Sequence, residues 1–555
     1  MRITRMGIAA FVLAASLPVS AFAVDAELQK KIDDLSQQLE SLKQQVQKSE
    51  EKAKVTEEKV EKTEALAKQT DEKSLGKWLT IGGDYRFRVD SLRGSVPGSY
   101  SIMNEAFAGW MLGQMNGAAP APPPASGYVP AYKTSNDTLY TNRFGLNLKA
   151  KATENVSVKA RLLMYKVSGA QNDAAVVGPY ATDRMGIFDG TLGHVPSDGQ
   201  LTVDQAYATW SNIAEQPVWF SVGRRPSTGG SPTHLKNNTE KTGTAGTPAL
   251  LVDYAFDGMT LGYAPDIDAL GSPFVKLCYG RGFESGYSGS ATANNSLRDT
   301  DMLGVQVVGY NTDAVTATFQ WNHAFNVFNT PAFVTGPTTV AGSSLSGYSA
   351  PSVNLGDIDW FGLDVVGKLD NIGFGNVNWF VDGALSYAQP NKNVVDPFSS
   401  TGAPVRPVMG LMNSGMNINY SSTKQDKTGW AVYVGGRYDI EKTGTKIGFE
   451  YNHGSRDWIT FAPAADDIWT AKLGTRGDVY EGYIIQELKL KPISSIMSKV
   501  FFKVGYQYYS FDSTGSNNWV GGSAKLSDLG NPMNAQMLAP VQNAQDIYGT
   551  FEVQF

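Results

Sequence analysis

Sixteen stretches of this chain alternate apolar and polar residues with a period of two. Beyond the first 23 residues, no run of about 18 apolar residues could cross a bilayer as a helix. Period two puts successive side chains on opposite faces of a strand. One hairpin shows the pattern clearly. Phe144, Leu146, Leu148 and Ala150 alternate with Arg143, Asn147, Lys149 and Lys151. After a turn at Thr153-Glu154-Asn155, Val158, Ala160, Leu162 and Met164 alternate with Ser157, Lys159 and Arg161. One face is greasy and the other charged, as expected of a closed sheet with lipid outside and water inside. The last residues repeat it, with Ile547, Gly549, Phe551, Val553 and Phe555 on one face. In an open sheet such a strand would leave an apolar edge. In a barrel it pairs with the first strand.

The alternation predicts strands at 79–89, 141–152, 156–167, 201–212, 217–225, 249–262, 272–282, 301–310, 314–324, 357–369, 376–387, 428–438, 445–453, 479–490, 499–510 and 546–555. Short turns and long polar loops alternate between them. An even strand number is expected of a bacterial barrel. Parity is consistent, because a periplasmic N-terminal segment requires the first strand to run outward and the last inward. Keeping that parity requires merging Leu250-Leu251-Val252 with Met259 to Tyr263 into one strand, bulged at Asp257-Gly258. The fold class expected is therefore all-β: a 16-stranded antiparallel transmembrane β-barrel preceded by an N-terminal α-helical coiled coil.

Three regions follow. Residues 1–23 read as a secretory signal peptide, with Arg2 and Arg5, an apolar core and Ala21-Phe22-Ala23 before the cleavage point. Residues 24–76 form the coiled coil expected in the periplasm. Leu28, Ile32, Leu35, Leu39, Leu42 and Val46 alternate at spacings of four and three, and the seam continues more weakly to Thr70. Such a seam needs a partner helix, and a homotrimer is the expected assembly. Residues 77–555 form the barrel. One cysteine, Cys278, leaves no internal disulfide.

The polar faces suggest a pore lining. Arg86 and Arg88, Arg143 and Lys149, and Lys159 and Arg161 stand on the first three strands and predict a basic ladder, interrupted by Asp84 and Asp90. Asp382, Glu450, Glu481 and Glu487 fall on later strands, predicting a field across the lumen. Trp360, Trp379, Trp430, Tyr506, Tyr508, Phe551 and Phe555 are expected in interfacial girdles. His194, His234, His323 and His453 sit in no nucleophile motif and at no metal-ligand spacing, so neither an enzyme, a metal nor another cofactor is expected. A net charge of -6 with no basic aromatic surface gives no support to nucleic-acid binding.

Three resemblances extend this reading. The terminal Phe with alternating apolar residues resembles the assembly signal of Gram-negative outer-membrane barrels. The loop Pro226 to Pro248 occupies the place of the inward-folded loop of sixteen-stranded general porins. That resemblance makes His234, Lys236, Glu240 and Lys241 constriction candidates, with Arg225 beside them. The loop departs from those porins in having Glu240 as its single carboxylate. The pre-barrel heptads, Gly83-Asp84-Tyr85-Arg86-Phe87-Arg88, Gly223-Arg224-Arg225-Pro226-Ser227-Thr228-Gly229-Gly230 and Asp299-Thr300-Asp301 resemble a family of coiled-coil-bearing outer-membrane porins of anaerobic, often metal-reducing Gram-negative bacteria. The resemblance implies an outer-membrane porin passing small hydrophilic solutes or ions by passive diffusion. It also raises two alternatives: a barrel sheathing a multihaem cytochrome in an electron conduit, or a structural tether of the outer membrane. With no CxxCH, the haem would belong to the partner. The partners expected are outer-membrane lipid, further copies of the chain, a periplasmic component bound through the coil and, in the conduit reading, the cytochrome.

Overall fold

The computed structural model describes parts of a helix within residues 30–48, and residues 78–555 apart from 103, 170–195, 197–198, 286–296, 330–352, 399–400, 463–465, 491–497 and 538. The signal peptide, most of the heptad seam and His194 lie outside the described residues. The chain divides into two compact units at Lys77/Trp78. In the first, residues 33–44 are helical, and Leu35, Leu39, Leu42 and Val46 are exposed.

The second unit is a closed antiparallel barrel of sixteen strands. In chain order they are β1 Leu79–Val96, β2 Tyr132–Lys151, β3 Val156–Val167, β4 Thr202–Trp210, β5 Val218–Ser227, β6 Tyr254–Tyr263, β7 Phe274–Phe283, β8 Thr300–Asn311, β9 Val315–Phe328, β10 Asn354–Ile372, β11 Gly375–Pro390, β12 Lys427–Ile440, β13 Thr445–Gly454, β14 Gly477–Glu487, β15 Lys499–Phe511 and β16 Asn543–Gln554. Each pairs with its sequence neighbours, and β1 pairs with β16 to close the cylinder. Eight long loops gather at one end and seven shorter connections at the other. All sixteen expected strands are present, and several extend further toward the loop end than the alternation indicated.

The alternation has its physical cause in the two solvents of the wall. Val222, Leu261, Leu277, Phe319, Leu363, Leu385, Phe449, Ile484, Val504 and Ile547 are exposed on the outer face. Their neighbours in sequence point inward. The inner face carries Arg86, Arg88, Thr260, Gln320, Asp364, Glu450, Gln507 and Asp546, all buried. Hydrogen bonds around a closed ladder satisfy every strand, so no edge is left.

Two expectations need correction. Leu250, Leu251 and Val252 are not strand. They precede β6, which pairs with β5 and β7 without a register shift at Asp257-Gly258. This apolar run is instead fully buried inside the barrel, which is why its composition imitates a strand. Trp360 likewise does not belong to a girdle. It faces inward at 1% exposure, and its indole Nε1 donates to the Ile459 carbonyl at 2.8 Å.

The inward Leu250 and Trp360 belong to an interior apolar core. Residues 228–253, after β5, and the described residues of 455–476, after β13, both fold into the lumen. They are joined where the Phe461 amide donates to Leu251 at 3.0 Å and the Asp253 amide donates to Phe461 at 2.9 Å. Around this seam pack Ala249, Leu251, Phe256, Ile358, Phe380, Trp458, Phe461 and Trp519. The lumen expected to be open to water is thus filled by loop on the side of β6–β12.

Candidate functional site

The inner wall places four pairs of like charges directly opposite each other in register: Arg86 with Arg143, Glu450 with Glu481, Asp364 with Asp382, and Lys149 with Lys159. Opposed cross-strand side chains have Cβ atoms about 4.5–5.5 Å apart, and like charges there are destabilising. How each pair is compensated defines the site.

The arginine pair is clamped by the second infolded loop. Asp466 accepts from Arg86, with its other carboxylate oxygen 2.8 Å from that guanidinium, and from Arg143 at 2.9 Å. Burial alone would raise the Asp466 carboxyl. The guanidinium groups of Arg86 and Arg143 outweigh it and hold it well below the usual carboxylate range. The glutamate pair is clamped in the opposite sense. Lys472 of the same loop donates to Glu450 and, at 2.6 Å, to Glu481. Lys236 of the first loop reaches Glu481 at 2.8 Å and Asp467 at 3.3 Å. Burial would push the Lys472 ammonium down, but Glu450 and Glu481 raise it well above its ordinary value. The two loops therefore carry the charges that the wall lacks.

The first loop crosses the whole lumen. Its short helix α1, Thr233–Asn237, ends against the far wall. Arg437 of β12 donates to the Leu235 carbonyl, Lys446 of β13 to Asn238 at 2.6 Å, and Lys503 of β15 to the Lys236 carbonyl at 3.2 Å. Lys241 reaches back to Asn311 at 2.9 Å and to Thr316. His234 is buried. Desolvation, with Arg437 and Lys241 nearby, lowers its imidazole to about 4. Glu240 is exposed and makes none of these contacts. Arg225 is turned to the wall, donating to Ser221 at 2.9 Å and to Thr260.

The expected basic ladder is corrected by these partners. Arg88 sits between Asp90 at 2.5 Å and Asp546 at 2.8 Å and is 1% exposed. Arg161 binds Asp84 at 2.6 Å and Asn147 at 2.8 Å. Each arginine of the ladder therefore has a carboxylate. Glu450 and Glu481 are likewise neutralised, so the expected field across the lumen is largely cancelled locally. Asp382 and Asp364, both 1% exposed, have no ion pair among the described residues. Lys149 and Lys159 have none either, and both are exposed on the inner face. Asp466, Asp467 and Lys472 lie between two of the expected strands, at 445–453 and 479–490, where no alternation marks them as wall or lumen residues. Opposed like charges on β1/β2 and β13/β14 were the available signal that a third charge had to arrive.

Exposure along the inner face is uneven. Gln306, Gln320, Asp364, Glu450 and Gln507 on β8–β15 are buried. On β1–β3 the turn half of the inner face is more open: Asp84, Arg143 and Arg161 side chains are partly exposed, and Asn147, Lys149 and Lys159 are exposed, while Arg88 and Asp90 toward the loop end are buried.

The chain belongs to the family described as Protein of unknown function (DUF3373), which matches residues 133–555, β2 onward. No curated protein matches it. Among solved structures, the trimer form of OmpT, an outer membrane protein of Vibrio cholerae, is similar at 13% identity over 86% of this chain and 99% of that one, with a TM-score of 0.38. OprB of Pseudomonas putida is similar at 11% identity over 88% and 96%, TM-score 0.38. An anion-selective porin from Comamonas acidovorans is similar at 10% identity over 86% and 99%, TM-score 0.37.

Proposed function

We propose that this protein is an outer-membrane porin in which small hydrophilic solutes pass by an eccentric aqueous path along the inner face of β1–β4. One observation carries the reading. Polar inner-face side chains remain open there, on Asp84, Arg143, Asn147, Lys149, Lys159 and Arg161, while the opposite side of the lumen is packed by loop. An apolar outer face of strand residues makes the same wall suited to lipid. Pore width and lining charge then set selectivity. The path is narrower than the barrel, because residues 228–253 and the described residues of 455–476 occupy much of its section.

The same loops count against a barrel that sheathes a multihaem partner, since they take the space a wire would need. A signal peptide, a periplasmic coil at residues 24–76 and a trimer complete the proposal. Exposed Leu35, Leu39 and Leu42 on the N-terminal helix support a helical partner for that coil. The test is conductance of the purified full chain in a planar bilayer. Discrete ohmic steps are expected. A folded barrel that never conducts overturns the porin reading and favours the tether.

A further inference from the structure

The molecule shows twice how it treats two like charges opposed across a strand pair. A carboxylate, Asp466, seats between Arg86 and Arg143, and an ammonium, Lys472, seats between Glu450 and Glu481. Lys149 and Lys159 repeat the first arrangement at the turn end of the same wall, three and four residues from the 152–155 connection, but no described residue supplies the anion.

We infer that the Lys149–Lys159 pair is a subsite for a small dianion of phosphate or dicarboxylate type drawn from the aqueous path; the inference rests on the porin reading for its access route. The two ammonium groups stand on adjacent strands in direct register, flanked by Thr80 on β1 and Tyr207 on β4. Tyr207 lies beneath Lys159, whose Nζ is 5.9 Å from the ring centroid, which fixes one wall of the subsite. Arg161 and Asn147 bond each other at 2.8 Å and close it on the loop side. Arg161 is already held by Asp84, so it does not compete for the ligand. Two opposed cations directly across a strand pair cost stability. A dianion removes that repulsion and gains two charge-assisted hydrogen bonds. A monoanion such as chloride satisfies only one of the two charges. The buried Asp364–Asp382 pair offers no such access to solute, being 1% exposed at both residues.

The test uses the full chain, with inorganic phosphate at pH 8 as the probe and chloride as the carrier. Phosphate is expected to reduce the chloride current through single channels. The Lys149→Gln/Lys159→Gln double variant is expected to weaken this block about tenfold, the loss of roughly 1.4 kcal/mol of anion binding. The Lys149→Arg/Lys159→Arg variant is expected to retain it. Equal block in the wild type and the Gln variant overturns the subsite while leaving the porin reading intact. If the barrel does not conduct, phosphate titration calorimetry on detergent-solubilised protein still decides: binding abolished by the Gln double variant supports the subsite, and no binding by the wild type overturns it.

Discussion

Gly83 and Phe555 close the cylinder together. The Gly83 amide donates to the Phe555 carbonyl at 2.7 Å, and the Phe555 amide donates back at 3.0 Å. The Phe555 ring covers the place where a side chain at 83 would stand. A Cβ there would lie 2.8 Å from that ring and 2.4 Å from the Gly145 carbonyl oxygen. Gly83→Val is therefore expected to cost about 1–3 kcal/mol by overpacking. It should lower the temperature at which the folded band converts to the unfolded one on a detergent gel. Gly549→Val is the control, because a Cβ there meets nothing within 4 Å. Equal shifts in both variants would refute the closure argument.

Asp466→Asn is expected to release the second loop from β1 and β2 and to leave Arg86 and Arg143 without their counter-charge. Removing one partner of a buried ion pair typically costs ~3–5 kcal/mol. Channel conductance should rise, and the reversal potential in a potassium chloride gradient should move toward anion preference. The wild-type carboxyl is depressed in the fold, so its contribution is complete above the ordinary value of 3.8 and is lost as pH falls below it. The wild-type channel should accordingly hold its conductance through this latch from neutrality down to about pH 4. A variant with unchanged conductance and selectivity would place the latch off the aqueous path.

The barrel was legible because its physics is local: alternation at residues such as Phe144, Leu146 and Leu148 needs no distant partner to be read. The polar face was legible for the same reason, and Arg86, Arg143, Lys149, Lys159, Glu450 and Glu481 all point inward. What those residues meet was not legible. Asp466 lies more than 300 positions from Arg86 and Arg143, and nothing in the local pattern of 454–477 distinguishes a loop that folds in from one that stays out. Leu250 to Val252 failed differently. A short apolar run reads as a strand by periodicity, whereas here it is the apolar foot of a loop docked on Phe461.

His234 gives the first infolded loop an acid limit. Burial, then Arg437 and Lys241, lower its imidazole from 6.5 to about 4. The folded state thus binds fewer protons than the unfolded loop between those values. Stability of the loop is full above about pH 6.5 and declines as pH falls toward 4. Conductance fluctuations of the wild type are expected to increase over that window, and those of His234→Gln to stay level. Identical pH profiles would show that another group governs the loop.

Asp382 faces Asp364 with both carboxyls buried and no cation bonded to either among the described residues. Asp382→Asn keeps the shape, removes one of two opposed acids and lets an amide donate to Asp364. This variant is expected to unfold at a higher temperature than the wild type at pH 7, by an amount corresponding to about 1 kcal/mol. A lower unfolding temperature would mean that the acid pair is held by something the geometry does not supply.

Lys472 presents the opposite sign. Among the described residues it alone touches both carboxylates of the Glu450–Glu481 pair, and Tyr433 adds a hydroxyl to Glu450 at 2.5 Å. Lys472→Met leaves Glu450 buried beside a second carboxylate, while Lys236 still reaches Glu481 and Asp467 but not Glu450. The expected loss is ~3–5 kcal/mol, the usual cost of an uncompensated buried charge. The triple variant Lys472→Met, Glu450→Gln, Glu481→Gln removes the three charges together, leaves Lys236 its bond to Asp467, and should recover part of that loss, because replacing buried charges with neutral groups of similar volume is often neutral. Thermal unfolding of the two variants side by side measures the coupling. If the triple variant is no more stable than the single one, Lys472 supports the loop through packing and not through its charge.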